Sequence, residues 1–171
     1  IPYICSQLYQ GGVTKTFEKS IKSVQRAITL TSKVSIPYSY INECAGHLLT
    51  ARKYQNVDLD PEEMVHSNNA FVSNYYSLIK SGAKLPSNFM EYLASFSVAI
   101  KTEKSNIKAW VREIMTDLTS LLMKGNVIQE SIPFYKDEDL KDYDNEYSIC
   151  LKEKNKEKPG HLVHHDSIAL K

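Results

Sequence analysis

The chain has 171 residues, of which 42% are hydrophobic and 24% charged, with a net charge of +1. That length can bury a core without metals or dense disulfides, and the balance is globular, not disordered. A near-neutral total argues against general nucleic-acid binding, and no apolar run approaches membrane-spanning length, so no transmembrane segment is expected.

The chain begins IPYICSQLYQGG. An Ile-Pro start reads as a processed end, which gives the expectation of a secreted or extracytoplasmic protein, with an intracellular one as the alternative. Cys5, Cys44 and Cys150 are too far apart for a metal knuckle. Cys5 paired with Cys150 would tie the two ends together. Cys44 could take either partner, and three reduced thiols are the plain alternative.

The first predicted helix covers residues 14–33. Phe17, Ile21, Val24 and Ile28 recur at helical spacing and fall within roughly 60° of arc. Lys15, Lys19, Lys22, Arg26 and Lys33 fall on the opposite side. An acidic protein surface is the best match for that cationic face. A second helix starts near Pro37, packs Ile41, Cys44 and Leu48 inward, and fades around residues 53–57.

The third has the clearest start: Asp60 as cap, Pro61 in the first turn and Glu63 at the third position. Met64, Phe71, Tyr75, Leu78 and Ile79 supply its inward side, and Gly82 stops it. Pro86 opens a fourth segment through Phe89, Leu93, Phe96 and Ile100. The fifth runs from Ile107 to Lys124-Gly125 and has the strongest apolar face, with Trp110, Ile114, Leu118 and Leu122. These elements predict an all-α fold. A compact bundle of about five helices over residues 1–128 is followed by an extended, partly irregular arm over 129–171.

The arm is charged. Residues 136–146, KDEDLKDYDNE, hold six acids and two lysines. Tyr135 and Tyr143, with Phe134, are candidate anchors for packing it on the bundle or on a partner. His161, His164 and His165, beside Asp166, are candidate metal ligands by residue type, although they lack the Glu of a zinc-protease motif. No motif calls for an organic cofactor. Glu62 and Glu63 have a sufficient role at a helix start, and Gly11-Gly12 lacks the rest of a phosphate loop.

Eleven tyrosines suit wet interfaces as well as cores. Phe71, Tyr75, Phe96 and Trp110 could line a cavity for an apolar ligand. The sequence therefore points first to a non-enzymatic protein-interaction or assembly module, docking on a protein partner or on itself through a helical body and a charged arm. The alternative is a soluble carrier that holds a small hydrophobic ligand inside the bundle.

Overall fold

A computed structural model of the chain describes residues 1–12, 15, 17–31, 34–57, 60–125 and 127–129. It is mostly helical, as the sequence predicts. The elements in order are α1 (Pro2–Leu8), α2 (Glu18–Leu30), β1 (Val34–Ile36), α3 (Tyr38–Arg52), α4 (Pro61–Met64), α5 (Ala70–Lys80) and α6 (Phe89–Ala94). A 3-10 turn (Val98–Lys101), α7 (Ile107–Lys124) and β2 (Val127–Gln129) complete it.

The centre is the pairing of α3 with α7, the most extensive contact between elements. Ile41, Cys44, Ala45, Leu48 and Ala51 of α3 face Ile114, Met115, Leu118 and Leu122 of α7 in one buried cluster. A fully buried Leu or Ile contributes roughly 1.5–3 kcal/mol, so this seam carries much of the stability. Trp110 packs near the start of α7. Its indole N–H donates to the Ala99 carbonyl at 2.7 Å, and the Arg52 guanidinium lies 5.3 Å from its ring centre. The indole thereby has the polar partner that burial requires.

Asparagine sets three of the helix starts. Asn69 accepts from the N–H groups of Phe71 and Val72, Asn88 from Glu91, and Asn106 from Ala109. The expected cap at Asp60 is present and accepts from the Glu62 N–H at 2.9 Å. The single helix expected from Asp60 to Gly82 is instead two, α4 and α5. Ser67 Oγ accepts from the Asn69 N–H, and Ser73 Oγ donates to the Val65 carbonyl, so side chains replace ladder bonds at the break. Asn69 also donates to the His47 carbonyl at 2.7 Å, which anchors α5 against α3. Asn69→Ala is expected to cost about 1–2 kcal/mol in urea denaturation.

The fourth expected helix shortens to α6, and Phe96 and Ile100 reach the core from the following turn. Two elements have no counterpart in the sequence reading. One is α1, which buries Ile4 and Cys5. The other is the parallel pair β1–β2, in register Val34↔Val127, Ser35↔Ile128 and Ile36↔Gln129. The pair runs one residue past the expected body limit of 128. Near the same place the Tyr3 hydroxyl donates to the Gly125 carbonyl at 3.3 Å, tying α1 to the end of α7.

Gly12 has φ +59°, and an added Cβ would stand 2.8 Å from Asn74 Oδ1 and 3.0 Å from the Asn74 carbonyl. Gly46, exposed within α3, would meet nothing within 4 Å. The two alanine variants should therefore move the urea midpoint in opposite directions. Gly12→Ala loses about 1–3 kcal/mol, whereas Gly46→Ala gains roughly 0.5–1 kcal/mol.

Candidate functional site

The amphipathic helix α2 borders an apolar groove in the surface. Its Phe17, Ile21, Val24 and Ile28 stripe is the one read from the sequence, yet only Ile21 is buried. Phe17 and Val24 instead face an apolar groove of about 630 Å³. Ile1, Pro2–Ile4 of α1, Val34–Pro37, and Tyr40 and Cys44 of α3 line it, together with Leu122 and Val127. Two aromatic rings stay exposed on this surface, Phe17 at 42% and Tyr40 at 43%.

A more polar trough of about 600 Å³ continues along α3, past Gly46, Thr50, Tyr54 and Asn69. Glu43, His47 and Asn68 border both spaces. His47 Nε2 lies 3.7 Å from Glu43 Oε1. Cys44 also borders the groove, but burial pushes its thiol pKa up, which is the opposite of what a nucleophilic thiolate needs.

No protein-family model, curated protein or solved structure matches this chain.

The residues expected to line a ligand cavity are divided. Phe71, Tyr75 and Phe96 gather around Tyr92, with ring centres 5.0 Å apart for Phe71–Phe96, 5.0 Å for Tyr75–Tyr92 and 5.2 Å for Tyr92–Phe96. Phe71 and Phe96 are buried, so these rings pack on one another. Trp110 sits with Arg52 and Ala99, apart from these ring contacts. The groove around Phe17 and Tyr40 is separate from both. Its signal in the sequence was an apolar stripe on α2 with no assigned partner.

The cationic residues Lys15, Lys19, Lys22 and Arg26 are all exposed. Lys22 pairs with Glu18 at 2.5 Å, and this bond and charge together lower the Glu18 pKa. At 100° per residue, Lys19 and Arg26 stand roughly 140–180° around the helix from Phe17 and Val24. Lys19 and Arg26 therefore lie on the outer face of α2, opposite the groove, whereas Lys15 and Lys22 border a separate space with Ser6 and Gln10.

Cys5 and Cys44 are buried free thiols, so the bond expected from Cys5 is not formed in this structure; Cys150 lies outside the described residues. The Cys5 thiol is held inside, in hydrogen-bond contact with Tyr92. Tyr135, Tyr143, His161, His164 and His165 also lie outside the described residues. Among the described residues no group of His, Cys, Asp or Glu is placed to hold a metal, and no helix is long and apolar enough to cross a membrane.

Burial pushes the Cys5 thiol from its ordinary 9.0 up to about 12. At pH 8 that leaves about a thousandfold less thiolate than an ordinary cysteine has. Iodoacetamide should therefore leave Cys5 unlabelled in the folded chain and label it readily in urea, as read by peptide mapping. Fast labelling of the folded chain would show that α1 opens readily.

Proposed function

We propose that this chain is a non-enzymatic protein-interaction module whose groove between α1, α2, β1 and α3 receives an apolar stretch of polypeptide. One observation carries the reading: the groove has an apolar lining and leaves Phe17 and Tyr40 exposed beside it. Exposed aromatic rings over an apolar floor suit a docking surface, where aromatic anchors supply a large share of binding energy. The cationic outer face of α2 adds a second surface, suited to carboxylates.

A carrier for a small hydrophobic ligand is the second reading. The groove volume favours it, since about 630 Å³ is within the usual range for small-molecule sites. The ligand would then sit against Phe17 and Tyr40, not among Phe71, Phe96 and Trp110.

A photo-crosslinking amino acid placed at position 40, combined with native mass spectrometry, separates the two. Crosslinks to a polypeptide, from this chain or another, support the interaction module. A constant small-mass adduct lost on denaturation replaces it with the carrier. If neither appears, both readings fall.

A further inference from the structure

We infer that the polypeptide received by the groove carries a lysine or arginine beside its apolar residues, and that Glu43 selects that cation. This inference rests on reading the groove as a docking surface for polypeptide, and it names the chemistry of the partner.

A row of side chains along α3 supports it. Tyr40, Glu43, His47 and Thr50 follow one another at intervals of three, four and three residues, so they share one face of the helix. Tyr40 borders the apolar groove, Thr50 borders the polar trough, and Glu43 and His47 border both. The two spaces therefore make one track along α3. Glu43 stands where its lining changes from apolar to polar.

Charge gives an independent argument. Among the described residues that line the two spaces, Glu43 is the one acidic side chain, and none is a lysine or an arginine. The Ile1 amino group, also on the groove, is in hydrogen-bond contact with the Cys44 thiol. Among the described residues Glu43 pairs with His47 alone, at 3.7 Å, and that pair is ionic only while the imidazole is protonated. The distance exceeds hydrogen-bond reach. A wholly apolar segment laid over this carboxylate would strip it of water and return nothing, and an acidic one would be repelled. A lysine or arginine returns a charge-assisted bond and lays its own methylenes along the apolar floor.

Helix geometry also sets the spacing. From Tyr40 to Glu43 the rise along α3 is about 4.5 Å, which an extended segment covers in roughly one to two residues. The cation of the partner therefore stands one or two positions from the apolar residue that packs on Tyr40. Beyond it, the amides of Asn42 and Asn68 and the Thr50 hydroxyl line the trough and suit the backbone of the departing segment.

Panning a phage library of random peptides, about twelve residues long, against the folded full chain tests the inference. Selected peptides should crosslink to position 40 and place Lys or Arg one or two positions from an apolar residue. A synthetic copy of the strongest clone, followed by fluorescence anisotropy, should bind Glu43→Gln about five- to tenfold more weakly than wild type. This near-isosteric change should leave the urea midpoint where it was. Glu43→Lys should reverse the preference, favouring the same peptide with its cation replaced by Glu. Crosslinking peptides without a cation, or equal affinity for wild type and Glu43→Gln, would overturn the inference and leave the interaction module standing. Cationic peptides that bind without crosslinking to position 40 would also overturn it, since they occupy another surface. If the library yields no binder but position 40 still captures a polypeptide, the sequence of the captured segment decides by the same criterion. No binder and no polypeptide crosslink would remove both readings.

Discussion

Phe96→Ala is expected to remove roughly 3–5 kcal/mol of stability, a large part of what a domain of this size has in total. Phe96 is 2% exposed and touches three rings, Tyr9, Phe71 and Tyr92, with centres 5.9, 5.0 and 5.2 Å away. Truncation removes apolar transfer energy and edge-to-face contacts together, and it leaves a hole that the flanking rings fill only in part. Urea denaturation followed by circular dichroism measures the loss. A loss below about 1 kcal/mol would show a loosely packed cluster, which is the property a ligand chamber needs. It would return the carrier reading to Phe71, Tyr75 and Phe96.

Stability should also fall steeply in alkali. The Cys5 thiol stays neutral in the fold up to about pH 12, whereas in the unfolded chain it ionises near its ordinary 9.0. Between those values the folded state binds the extra proton, so stability is full below pH 9 and declines as pH rises toward 12. At about 1.4 kcal/mol per pH unit, this one thiol accounts for about 4 kcal/mol across the window. Burial also pushes the Tyr92 hydroxyl well above its ordinary 10.0, which adds a second loss in the same direction. The Tyr92 hydroxyl accepts from Asn74 Nδ2 at 2.8 Å, so its ionisation would disturb α5 as well as α6. Urea midpoints measured from pH 7 upward should drop faster in the wild type than in Cys5→Ala above pH 9. Parallel curves would show that Cys5 is hydrated in the fold.

The two central helices were legible in the sequence because each meets a full partner. Ile41, Cys44 and Leu48 face Ile114, Leu118 and Leu122, so both periodic stripes are used. The stripe on α2 was equally regular, but of its four residues only Ile21 is buried. A groove is the shortfall between apolar surface supplied and surface covered, and periodicity measures only the supply. The strands β1 and β2 have three residues each, too few to show alternation, and their partners lie at opposite ends of the described body. The capping role of Asn69, Asn88 and Asn106 was readable in principle. Each asparagine stands directly before an apolar helical stretch, and asparagine ranks with the best caps. The break between α4 and α5 depends on Ser67 and Ser73 finding backbone partners across a turn, which no local pattern announces.

The bond from Tyr3 to the Gly125 carbonyl spans 122 positions of chain. During synthesis, at about 5–20 residues per second, α1 must therefore wait roughly 6–24 s after it forms before its partner at the end of α7 is made. Throughout that interval Ile4 and Cys5, which the finished fold buries, have no core to enter. A chain in the course of synthesis therefore carries a short apolar helix whose core is still to be made.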